Sequence, residues 1–148
     1  FIQKSLSDEN LKANSLELEI TEGVLMIGQS YIDEALLKLN ELGIKLSMDD
    51  FGTGYSSLSY LRQYSFDVLK IDRSFIQGIP NNKADCELCN AIIAMAQSLG
   101  LRIVAEGVET KEQVELLSTL GCDYLQGYYY SKPVPAKQLI DYSANYLT

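Results

Sequence analysis

Apolar residues recur every third or fourth position along three stretches of the chain. Ile32, Ala35, Leu36, Leu39 and Leu42 form the first stripe, and Leu88, Ile92, Met95 and Leu99 the second. Val114, Leu117 and Leu120 form the third. This is the helical period, which gathers each set on one face. Each stretch ends in a Leu-Gly pair, at Gly43, Gly100 and Gly121. Glycine there supplies the left-handed residue that closes a helix. Thr110 and Gln113 spell a capping box before the third stripe, and Ser30 with Asp33 an acidic version before the first. A last helix is expected from about Ala136 to Tyr146, entered through Pro133 and Pro135.

Short apolar runs follow the glycines. Leu16–Ile20, Lys45–Met48, Val68–Ile71, Arg102–Ala105 and Tyr124–Gly127 are predicted strands. Their starts lie about 27 residues apart on average, the size of a βα unit. Strands that alternate with helices pair in parallel through right-handed crossovers. The fold class is therefore α/β, either a doubly wound sheet or a TIM-like barrel. A (β/α)₈ barrel uses about 31 residues per unit. At that rate residues 1–148 supply about five βα units, either five-eighths of such a barrel or a whole five-stranded doubly wound domain.

Composition narrows the chemistry. The chain has 148 residues, 47% of them apolar and 22% charged, with a formal charge of −8. That balance belongs to a globular protein and disfavours non-specific binding of DNA or RNA. No apolar run is long enough to span a bilayer. There is no histidine, so Ser-His-Asp and Cys-His catalysis and histidine metal sites are excluded. Cys86 and Cys89 form a C-x-x-C inside a helical pattern, with Cys122 apart. Their expected role is that of ordinary helix residues in a reducing, cytoplasmic protein.

Polar residues collect where the strands end. Glu19-Ile20-Thr21-Glu22 closes the first strand, and Asp49-Asp50-Phe51-Gly52-Thr53-Gly54 the second. Lys70-Ile71-Asp72-Arg73, Glu106-Gly107-Val108-Glu109 and Gln126-Gly127-Tyr128 close the others. In α/β folds this rim is where active sites lie. Glu19 alternates with Leu18 and Ile20, and Lys70 with Leu69 and Ile71, so both are expected to point inward. Carboxylates converging in a low dielectric repel one another unless cations join them. Hard oxygen ligands without Cys or His suit Mg²⁺ or Mn²⁺. Consecutive strand residues face opposite ways, so Asp49 and Asp50 can share one site only if the strand bulges. Lys70 is then a counter-ion or orients a water, and Glu106 a metal ligand or general base.

Other motifs fail their context. Asp50-Phe51-Gly52 spells the kinase D-F-G, but a chain without histidine has no H-R-D loop. Gly52-x-Gly54 lacks the third glycine of a dinucleotide fingerprint, because Ser57 stands there. Tyr128, Tyr129 and Tyr130 read as packing residues or as a stacking platform for a base.

Leu18–Glu22, Asp49–Leu58, Leu69–Asp72, Val104–Glu109 and Gln126–Tyr128 occur in an order and spacing that resembles the EAL-domain family of cyclic di-GMP phosphodiesterases. The resemblance covers nearly the whole chain. It implies a TIM-like barrel, a two-metal site of Mg²⁺ or Mn²⁺, and hydrolysis of cyclic di-GMP to linear pGpG by the intact domain. By the same resemblance, Glu19, Asp49, Asp50 and Glu106 are metal ligands, and Lys70 with Glu106 is catalytic. Gln126 and Asp72 contact substrate, and Glu22 with Thr21 steadies the loop after Asp49-Asp50. That loop and the helix after it are expected to form a homodimer surface. Sensory or GGDEF-type domains upstream are expected, in a parent that is cytoplasmic or membrane-anchored. The family's Glu-Ala-Leu glutamate and an Asn ligand fall on strands expected before Phe1, so the fragment alone is expected to be inactive. Glu34-Ala35-Leu36 spells the tripeptide in mid-helix and is a decoy. The alternative is a non-catalytic cyclic di-GMP receptor or a protein-interaction module, which would be expected to lose site carboxylates or the lysine; Glu19, Asp49, Asp50, Lys70 and Glu106 are all present.

Overall fold

Alternation of apolar and polar residues along the strands gives the sheet two unlike faces. The computed structural model describes residues 1–26, 30–52 and 57–140. Five strands form one parallel sheet: β1 (Glu17–Thr21), β2 (Lys45–Phe51), β3 (Val68–Ile71), β4 (Arg102–Glu106) and β5 (Tyr124–Gln126). Their spatial order is β1-β2-β3-β4-β5, each strand beside its successor. A doubly wound sheet reverses direction at a switch point. This sheet has no reversal, so its winding is that of a barrel, and right-handed crossovers put the connecting helices on one face.

Those helices are α1 (Ile2–Asp8), α2 (Glu22–Met26), α3 (Ser30–Glu41), α4 (Ser57–Gln63), α5 (Arg73–Ile76), α6 (Lys83–Ser98) and α7 (Lys111–Leu120). Residues 136–140 are also helical; the rest of the predicted last helix lies outside the described residues. The core lies between sheet and helices. Leu46, Met48, Leu69, Ile71, Ile103 and Ala105 pack there with Leu36 of α3, Ile93 and Ala96 of α6, and Leu117 of α7. Burying a side chain of this size contributes about 1.5–3 kcal/mol, so this apolar face is what holds the helices to the sheet. Gly43, Gly100 and Gly121 all take positive φ, as the helix endings require.

Two aspartates tie neighbouring strands at the opposite end from the polar rim. Asp67, just before β3, accepts the Leu46 N–H of β2 at 2.9 Å. Asp123, just before β5, accepts the Ile103 N–H of β4 at 2.8 Å. The structure corrects one local expectation. β2 does not stop at Met48 but continues through both aspartates to Phe51. Asp33 also accepts the Tyr64 hydroxyl, and that bond, with burial, pushes the Tyr64 hydroxyl up to about 12.

Candidate active site

The second face of the sheet carries Glu19, Asp49, Lys70, Glu106 and Gln126. Lys70 stands at its centre. Its Nζ lies 2.7 Å from Glu19 Oε1, 3.0 Å from Asp49 Oδ1 and 2.7 Å from Glu106 Oε1. The Lys70 side chain is only 7% exposed. A buried ammonium survives only where opposite charge surrounds it. Burial pulls the Lys70 ammonium down, but contacts with Glu106, Glu19 and Asp49 outweigh it and hold the group above the ordinary lysine range. Lys70 is thus placed to donate hydrogen bonds and to offset charge.

The expected bulge is present. Met48 pairs with Leu69 and Phe51 with Ile71, so Asp49 and Asp50 together face Lys70 alone. Asp50 takes φ +55°, a left-handed conformation that Asp tolerates better than most residues. This turn brings both carboxylates to one side. Asp49, Asp50 and Glu106 each offer an oxygen within 4.8 Å of the others. Glu19 stands outside this trio and joins it through Lys70; its side chain is 55% exposed.

The trio suits a divalent cation. Its donors are all hard oxygens. Asp49 Oδ1 is buried and, despite its approach to Lys70, accepts no hydrogen bond from the described residues. Burial and the charges of Asp49 and Asp72 hold the Asp50 carboxyl above its usual range, Lys70 only partly countering them. More positive charge is needed than Lys70 supplies.

Beside the trio opens a cleft of about 310 Å³, lined by Asp50, Asp72, Arg73, Glu106, Glu109, Gln126 and Tyr128 among others. Asp72 caps α5, accepting the Ser74 N–H at 2.9 Å. Burial raises its carboxyl, but the hydrogen bonds from Ser74 and Arg73 prevail and hold it below its usual range. Arg73, Glu109 and Tyr128 belong to the strand-end segments that the sequence places on the rim, but the sequence assigned no site role to Arg73 or Glu109.

Thr21 closes β1 opposite Asp49. Glu22 opens α2 and is 2% exposed. Most of the loop they were expected to steady, residues 53–56, lies outside the described residues. The cysteines are free. Cys89 is buried, its Sγ donating to Phe75 O at 3.3 Å, and burial pushes its thiol up to about 11. Glu34 is exposed on α3 and pairs with Lys38 at 2.9 Å, away from the rim, as expected of a decoy.

The EAL domain family model matches residues 1–133. The chain belongs to the EAL-domain family. Among curated relatives, this EAL chain is 48% identical over 145 residues to the cyclic di-GMP phosphodiesterase NbdA of Pseudomonas aeruginosa, covering 98% of this chain and 18% of that protein. The chain thus spans less than a fifth of the length of that relative. Among solved structures, it resembles PaMucR phosphodiesterase in complex with c-di-GMP, at 42% identity and TM-score 0.83, over 93% of this chain and 56% of that one. It also resembles Klebsiella pneumoniae BlrP1 in a manganese and cyclic di-GMP complex, at 31% identity and TM-score 0.83, over 89% of this chain and 34% of that one. A five-stranded, singly wound sheet with an acidic rim is this chain's share of the EAL architecture.

Proposed function

We propose that the rim of this chain, within its full-length protein, hydrolyses cyclic di-GMP to linear pGpG with divalent metal. The observation that carries this reading is the convergence of Glu19, Asp49 and Glu106 on Lys70 Nζ at 2.7–3.0 Å, beside the Asp49–Asp50–Glu106 trio. Names borne by relatives support the substrate, and the manganese complex of BlrP1 supports the metal.

Asp49, Asp50 and Glu106 would hold the metal, with Glu19 beside them. Two Mg²⁺ or Mn²⁺ ions bound there would supply an acidified water and charge for the phosphoryl oxygens. Lys70, as the ammonium, donates a hydrogen bond to the attacking water and offsets charge developing on phosphorus. Glu106, 2.7 Å from that ammonium, orients the same water. The water oxygen bonds to phosphorus, giving its proton to the Glu106 carboxylate, as one phosphorus–ribose oxygen bond breaks and the freed ribose oxygen takes a proton from solvent, which opens the ring. Gln126 and Asp72, on the cleft wall, contact the nucleotide. Glu22 and Thr21 position the loop after the bulge.

The reading includes a homodimer through that loop and α4, whose Leu58 is exposed, and GGDEF-type or sensory domains upstream. Residues 1–148 would form the C-terminal five-eighths of one barrel. The reading places the site in the cytoplasm; no helix among the described residues is long and apolar enough to cross a membrane.

The test is hydrolysis of cyclic di-GMP by the full-length protein, followed by chromatography of the products. Turnover is expected with Mn²⁺ or Mg²⁺, and its loss with EDTA. Asp49→Asn is expected to lower turnover by roughly 10²–10³-fold with circular dichroism unchanged. Activity indifferent to chelation, or an active Asp49→Asn enzyme, would sink the mechanism. Tight binding without turnover would favour a receptor instead.

A further inference from the structure

Gln113 was legible in the sequence only as part of a capping box, and the phosphodiesterase mechanism makes no use of it. Its position is unusual for a cap. The residue is 4% exposed, whereas a capping side chain has no need of burial. Oε1 accepts two N–H groups, from Glu109 at 2.7 Å and Thr110 at 3.0 Å. Nε2 donates to Ile76 O at 2.9 Å, across 37 residues of sequence.

These partners lie behind the two walls of the cleft. One wall is Asp72, Arg73 and Gln77, carried by the start and end of α5. The other is Glu106, Gly107 and Glu109, carried by β4 and the loop into α7. Ile76 is the last residue of α5. The walls also touch directly, because a Cβ on Gly107 would come 2.6 Å from Arg73 Cβ. So one buried amide fastens both walls from behind, where water does not compete for its hydrogen bonds.

We propose that Gln113 is a positioning residue that straps the α5 wall to the Glu106–Glu109 wall and so fixes the width of the cleft. The proposal rests on the phosphodiesterase reading for its kinetic consequence, but the strap itself can be tested apart from activity. A side chain that merely caps α7 would tolerate glutamate, the usual partner in a capping box and one favoured at a helix N-terminus. A strap would not, because a carboxylate cannot donate to Ile76 O.

The full-length protein is compared as wild type, Q113E and T110A. T110A removes the hydroxyl that caps the Gln113 N–H at 3.3 Å and leaves the strap. Q113E is expected to speed amide exchange across residues 73–79 and to lower kcat/KM for cyclic di-GMP on the order of tenfold, mainly through kcat. T110A is expected to lower Tm while leaving exchange at 73–79 and the kinetic constants near wild type. Wild-type exchange at 73–79 in Q113E, or the same effect from T110A, overturns the strap. If Q113E does not fold, Q113M, of similar length and without a donor, is judged by the same exchange criterion. A wild-type protein that fails to hydrolyse cyclic di-GMP refutes the phosphodiesterase reading alone, and the exchange comparison still decides the strap.

Discussion

Lys70 and Asp50 are opposite outcomes of one crowded rim. The lysine gains three carboxylate contacts and stays charged. Asp50 loses hydration on burial and meets repulsion from Asp49 and Asp72, and its carboxyl holds its proton more tightly in the fold than in the unfolded chain. The sign of the pH effect follows. A carboxyl with a raised folded pKa favours the native state below the ordinary aspartate pKa, and that advantage is lost as pH rises through the raised value. At neutral pH the ionised Asp50 therefore costs stability. Asp50→Asn is expected to raise Tm at pH 7 in EDTA, with the gap narrowing toward pH 4. Asn also accepts the left-handed backbone at φ +55°. The same variant is expected to lose turnover. A lower Tm for Asp50→Asn at pH 7 would contradict this account.

At the scale of elements, the β4–α7 and β5 loops are locked by a close backbone approach. Val108 N donates to Gln126 O at 3.0 Å, and Tyr129 N donates to Val108 O at 3.0 Å. A Cβ on Gly127 would collide with the Val108 backbone between these bonds. Gly127→Ala is expected to destabilise the fold by about 1–3 kcal/mol, read as a shift of the urea midpoint. An unshifted midpoint would show that the loops part easily. The sequence revealed the long helices and the strands because apolar periodicity and Leu-Gly endings mark them. It also required the bulge, since two adjacent strand carboxylates cannot otherwise face one way. It hid α2 and α5, which run 5 and 4 residues and are too short to show a helical period, and α4 was expected only from the family resemblance. It hid the second role of Gln113 because Ile76 lies far away in sequence, and the Asp67 and Asp123 ties because a lone aspartate before a strand reads as a turn residue.

At the scale of the whole molecule, the sheet has one face sealed by helices and one lined with charge. Glu17 reaches Arg102 at 3.9 Å across the charged face, and Arg102 sits 6.0 Å from the ring centroid of Tyr124. β1 and β5 each pair on one side only among the described residues. Unpaired edges recruit other strands. The isolated 148-residue polypeptide is therefore expected to associate, seen by light scattering as a mass above the monomer's 16.5 kDa. A stable monomer would show that the edges are protected. The strictly sequential strand order has a further consequence, for biosynthesis. Each strand docks on the one made just before it, so every pairing closes a loop of modest length, a low-contact-order route. The sheet can then assemble in the order in which a ribosome delivers it, and the acidic rim is completed when β4 emerges to bring Glu106 beside Lys70.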